Sequence, residues 1–154
     1  MRKLGFLVVL CGCGGPAPAP MPDGEGESCL KPFRFIDRAL SFSGTTAGFK
    51  DDEGPDRSPC GGGGAGDVVF ELPAVGGGLV SVTVTGSADF QPIVKVRGFD
   101  RGCIAQDEQC DSATGKGKAA ELVDWSPARS GNQYVIVDGQ NQTSGAFTLT
   151  VSQR

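Results

Sequence analysis

The sequence has no histidine, one tryptophan, one tyrosine and no block of basic residues. Without histidine there is no Ser-His-Asp or Cys-His catalysis, no His-ligated zinc and no imidazole pH sensor. A net charge of −4 with scattered lysines and arginines argues against nucleic acid as a partner. Long apolar runs are missing too. The stretch from Leu4 to Leu10 falls far short of the ~20 residues a spanning helix needs. What is abundant is glycine and proline, 25 and 10 residues in a chain of 154. That is too many for a helix bundle, and the length suits one domain.

The N-terminus reads as an export signal. Arg2 and Lys3 precede the apolar stretch, which runs into Leu10-Cys11-Gly12-Cys13. This resembles the lipobox of bacterial lipoproteins, with Gly12 before a Cys13 that becomes the new N-terminus. Cys11 fits that role less well, because Leu10 fills the small-residue position. The resemblance implies signal residues 1–12, acyl chains (a thioether-linked diacylglycerol and an N-acyl group such as palmitate) on Cys13, and a membrane partner reached through them. Gly14 in place of an aspartate points to an outer membrane or cell surface. The alternative is a plain secretory signal cut near residues 16–19. Residues 13–28 read as a tether, in which Pro16, Pro18, Pro20 and Pro22 favour an extended chain. At ~3.1 Å per residue, residues 14–28 reach about 45 Å.

From Cys29 to Arg154 the pattern turns to period two. Val80, Val82 and Val84 alternate with Ser81, Thr83 and Thr85, as in a strand buried on one face. Phe147–Val151, Val68–Leu72 and Val94–Arg97 repeat the alternation, and Tyr134–Val137 is apolar on both faces. Residues 118–125 read as a strand plus loop. Residues 29–42 are long enough for a helix, against which Pro32 argues. Short strands with glycine-rich turns indicate an all-β fold, an antiparallel sandwich.

Four cysteines remain for this domain, an even count that suits disulfides in an exported chain. Cys103 and Cys110 share one loop and are expected to pair, leaving Cys29 for Cys60. No Cys-x-x-Cys is present to hold a metal.

The segments Asp67–Leu72 and Val80–Val84, with Tyr134–Gly139 and Gly145–Val151, resemble the bacterial pre-peptidase C-terminal domain. Residues 89–96 with Cys103 and Cys110 are similar to the versions in myxobacterial-type exported proteins. The resemblance covers residues 29–152 and implies a jelly-roll-like sandwich. It also implies a module that in some relatives binds collagen, polysaccharide or calcium. No peptidase is attached here, and collagen-binding relatives use surface tyrosines, whereas Tyr134 falls in an apolar strand.

Candidate chemistry is sparse. Asp51, Asp52 and Asp56, with Glu53, form the sharpest acidic cluster, a calcium site or a solvated loop; calcium takes about six to eight oxygens. No other cofactor is implied. Asp107, Glu108 and Asp111 carry the same ambiguity. Gly61, Gly63 and Gly66 match a dinucleotide fingerprint in spacing alone, since they lead into a strand. Trp125 and Phe99 are either a ligand platform or caps on the core. The reading is a monomeric, non-catalytic envelope lipoprotein whose module binds an extracellular protein or polysaccharide. A structural or accessory envelope protein is the alternative, and a small carboxylate-dependent hydrolase the third. An exposed aromatic or calcium-ordered patch favours the first, a flat polar surface the second, and a cleft with facing carboxylates the third.

Overall fold

The computed structural model describes residues 26–34, 40–53, 58–72, 78–98, 109–127 and 131–154. The strands are β1 (Phe33–Arg34), β2 (Leu40–Thr45), β3 (Val68–Leu72), β4 (Val80–Gly86), β5 (Pro92–Gly98), β6 (Gln109–Ser112), β7 (Ala119–Trp125), β8 (Gln133–Gly139) and β9 (Ala146–Gln153). They form two sheets, ordered β1-β3-β8-β5-β6 and β2-β9-β4-β7. All pairings are antiparallel except the two-residue β1, which runs parallel to β3. From β3 to β9 the chain passes repeatedly between the sheets, as the jelly-roll-like expectation requires.

Period two explains the packing. Val80, Val82 and Val84 of β4 and Phe147, Leu149 and Val151 of β9 point inward. They meet Val68, Phe70 and Leu72 of β3, Val94 and Val96 of β5, and Val135 and Val137 of β8, all in one buried core. Phe33, Phe42, Phe70 and Phe147 form its aromatic end, with Phe42 and Phe70 edge-to-face at 5.0 Å. Such pairs add to the burial of area. Trp125 is buried in the same core, so it caps the core and is no platform; Phe99 lies outside the described residues.

Residues 119–125 are strand throughout. A bulge between Val80 and Val82 lets two residues of β7 oppose one of β4, and Asp124 takes a positive φ of 52° there. A bulge of this kind bends an edge strand, and β7 is the edge of its sheet. Residues 29–42, where Pro32 argues against a helix, hold β1 and the start of β2, whose sequence Leu40-Ser41-Phe42-Ser43 alternates as a strand should.

The disulfide pairing differs from expectation. Cys60 bonds Cys110, with Cα atoms 6.0 Å apart, so neither Cys29–Cys60 nor Cys103–Cys110 forms. Sequence proximity favoured short loops. The fold instead brings the segment before β3 across the outer face of the five-stranded sheet to its edge at β6, where Cys110 pairs with Lys95 of β5 in the ladder. Cys29 is also disulfide-bonded. Cys103 lies outside the described residues.

Candidate functional site

The outer face of the five-stranded sheet presents Val69 of β3, Ile93, Lys95 and Arg97 of β5, and Tyr134, Ile136 and Asp138 of β8. In an exposed sheet, Lys95, Arg97 and Asp138 would reach water. Here Lys95, Arg97, Asp138 and Asp67 are all fully buried, and Glu53 is nearly so. The connection from β2 to β3 covers them. It is anchored at its ends by paired backbone bonds. Thr46 N–H donates to the Gly145 carbonyl at 3.1 Å, and Asp67 N–H to the Lys50 carbonyl at 2.9 Å.

Two ion pairs lie beneath this cover. Lys95 Nζ is 2.7 Å from Asp138 Oδ2. The second pair joins Arg97 and Glu53. Glu53 is the hub of the arrangement. Its carbonyl accepts from Lys95 Nζ at 3.2 Å and its N–H donates to Asp67 Oδ2 at 2.7 Å. Its Oε1 lies 3.6 Å from Cys29 Sγ. Cys29 itself packs with Val69, Tyr134 and Ile136 in a small second core.

The glycines of the cover have a steric reason. Gly62 has φ of +99°, a conformation closed to most side chains. A Cβ there would run into Asp138 Oδ2 and lie 2.9 Å from Lys95 Nζ. The glycine-rich run therefore lets bare backbone lie on the Lys95–Asp138 pair and exclude water. At Gly66 a Cβ would meet the carbonyl oxygens of Phe49 and Thr46.

Asp67 and Asp138 are close enough to perturb each other. Burial, and then the Asp138 charge, push the Asp67 carboxyl up to about 8. Burial also raises Asp138, with Lys95 opposing it. With Asp67 protonated the cluster is balanced, with Lys95 and Arg97 against Glu53 and Asp138. Among the described residues the buried Asp67 Oδ1 has no N–H or O–H donor, which suits an oxygen that carries the proton itself. Burial, and then the nearby Glu71 charge, push the Tyr134 hydroxyl up.

The sign of the linkage follows. Asp67 has a folded-state value above its ordinary 3.8, so its contribution to stability is complete below about 3.8 and is lost as pH rises towards 8. The urea midpoint of the wild-type protein should therefore fall from pH 5 to pH 8 relative to that of Asp67→Asn. A midpoint difference that stays constant over this range, or that moves the other way, would show that Asp67 is ionised in the fold.

The sequence-predicted site residues are scattered. Asp51 and Asp52 are exposed, and Asp51 Oδ2 accepts from Gly64 N–H at 2.5 Å. Glu53 turns inward to Arg97, away from any shared site with them. Asp56 lies outside the described residues, as do Cys13, Asp107 and Glu108. Among the described residues no group of three or more acidic or cysteine side chains is arranged to hold a metal ion. Asp111 instead protects a strand edge, its Oδ2 accepting from Glu121 N–H at 2.7 Å. Lys95, Arg97, Asp67 and Asp138 escaped sequence reasoning. Lys95 and Arg97 alternate with Val94 and Val96 as exposed residues would, and burial by a third segment cannot be read from alternation.

The chain matches no protein-family model and no curated protein. Its fold has solved counterparts. It is similar to the pre-peptidase C-terminal domain of a collagenase from Bacillus anthracis, with a TM-score of 0.51, 14% identity, and 78% and 93% of the two chains covered. It is also similar to PliG of Aeromonas hydrophila, a periplasmic inhibitor of g-type lysozyme, with a TM-score of 0.52, 14% identity, and 79% and 95% covered. The domain thus has a β-sandwich fold like that of the pre-peptidase C-terminal domain. Among the described residues no helix is long and apolar enough to cross a membrane.

Proposed function

We propose that this protein is a non-catalytic cell-envelope lipoprotein, anchored through Cys13 and holding its sandwich domain off the membrane on residues 13–28. There the domain binds an extracellular protein or polysaccharide. The observation that carries this reading is the use of the buried charges. The buried ion pairs Lys95–Asp138 and Arg97–Glu53, with Asp67 beside them, close one sheet face at zero or near-zero exposure, which suits a rigid presenting scaffold. The likeness to a periplasmic inhibitor of another protein supports a contact role outside the cytoplasm.

One observation favours the accessory reading. The outer face of the four-stranded sheet presents Ser41, Ser43 and Thr45 of β2, Thr148, Thr150 and Ser152 of β9, and Ser81, Thr83 and Thr85 of β4. Ser43 and Thr148 hydroxyls are 3.3 Å apart. These three strands present a polar surface, with no aromatic side chain among its described residues.

In cells, a fatty-acid analogue should label the protein, and Cys13→Ala should abolish the label and release the chain from membranes. Unchanged membrane retention of Cys13→Ala would remove the anchor from the account. The purified protein should show no esterase, peptidase or glycosidase turnover while retaining a saturable partner from a cell-surface fraction. Turnover that disappears when one Asp or Glu is replaced would overturn the non-catalytic reading.

A further inference from the structure

The Lys95–Asp138 pair carries more than an ion pair requires. The two side chains lie on neighbouring strands, β5 and β8, on the same face and one ladder step apart, since Ile93 is opposite Asp138 and Lys95 opposite Ile136. Nζ and Oδ2 are 2.7 Å apart, and neither side chain has any solvent exposure. Burying two charges in an apolar setting costs several kcal/mol per ion, which their attraction offsets only in part. Three further features surround them. Asp67 is a second buried carboxyl that interacts with Asp138, and one of its oxygens has no donor among the described residues. Gly139 N–H donates to Asp138 Oδ1 at 2.5 Å. The backbone of Gly62 closes the site from above.

We propose that Lys95 and Asp138 condense into an intramolecular amide, with Asp67 as the acid that moves the protons. The parts match the needs of acyl transfer. The nucleophile and the carboxyl are held in contact, which replaces a bimolecular encounter by an intramolecular one. The Gly139 N–H polarises Oδ1 and stabilises the charge that develops there. Asp67, which burial keeps protonated near neutrality, is the general acid.

The step balances. Within the pair a proton passes from Lys95 to Asp138, giving an amine and a carboxylic acid. The amine lone pair attacks Cγ of Asp138 and the N–C bond forms. Asp67 gives its proton to the departing hydroxyl as the C–O bond breaks, and takes one back from the former amine nitrogen. The ammonium and carboxylate become one amide and one water, and Asp67 returns to its starting state. No oxidant, reductant or other reactant is needed. The reaction runs once per chain and replaces two buried charges by a neutral link. Glu53 and Arg97, the other charged groups at the cluster, pair with each other and stay outside the step.

Mass spectrometry of the full chain, reduced and denatured, tests the proposal. The digest should contain a branched peptide joining Lys95 to Asp138, lighter than its two parts by one water, and trypsin should not cut after Lys95. Linear peptides at their unmodified mass, with cleavage at Lys95, would overturn it. Lys95→Arg keeps the charge but removes the amine, and should abolish the branched peptide. Asp67→Asn should leave the pair unlinked, and Asp67→Glu should restore linkage. A fully linked Asp67→Asn protein would overturn the role of Asp67. The wild-type digest decides the bond itself whether or not the variants fold.

Discussion

Replacing Glu53 by alanine should destabilise the domain by about 3–5 kcal/mol, the usual cost of leaving one partner of a buried ion pair without the other. Arg97 is fully buried and loses the Glu53 carboxylate. The backbone bonds that Glu53 makes to Lys95 and Asp67 survive the substitution, so the loss falls on the carboxylate, which pairs with Arg97 and touches Cys29. Glu53→Gln keeps the shape and an acceptor oxygen and should cost distinctly less. Against a typical stability of ~5–15 kcal/mol, Glu53→Ala should remove a large share of it, visible as a drop in the urea midpoint. A cost within the ±0.5 kcal/mol typical of surface substitutions would mean that Glu53 lies in the solvated acidic loop with Asp51 and Asp52, as the sequence alone allows.

The second large effect concerns the bridge. Cys60 and Cys110 are 50 residues apart, and the chain-entropy relation assigns a loop of that length about 4 kcal/mol. The bridge also holds in place the glycine run that follows Cys60, which is costly to order because glycine loses the most backbone freedom on folding. Cys110→Ser should therefore lower stability by up to this amount. It should also loosen the cover over Lys95 and Asp138, so that amide protons of residues 61–67 exchange faster. Exchange unchanged in Cys110→Ser would show that the cover is held by the ion pairs alone.

Much of the sandwich was legible because alternation is a local property. Val80–Val84, Val68–Leu72 and Phe147–Val151 each have one apolar face, and each became a strand packed on the core. Leu40-Ser41-Phe42-Ser43 carries the same signal, within residues 29–42 whose length alone also allows a helix that Pro32 opposes. The buried cluster was not legible, for a physical reason. Lys95 and Arg97 alternate with Val94 and Val96 as exposed residues would. Their burial depends on Glu53, 42 residues earlier for Lys95 and 44 for Arg97, reaching over the sheet. Such long-range cover leaves no periodic trace. The run Gly61–Gly64 was the one local hint, since so many side-chain-free positions imply close backbone approach, but only the fold reveals that Lys95 and Asp138 are what is approached. The disulfides failed for the same reason, because the cover that buries the charges is also what carries Cys60 to β6.

The claim that the segment before β3 closes the outer sheet face is tested most directly by peptide mapping of the non-reduced protein. A peptide joining Cys60 to Cys110 is the expected result. A peptide joining Cys29 to Cys60, or Cys103 to Cys110, would place that segment elsewhere and contradict it.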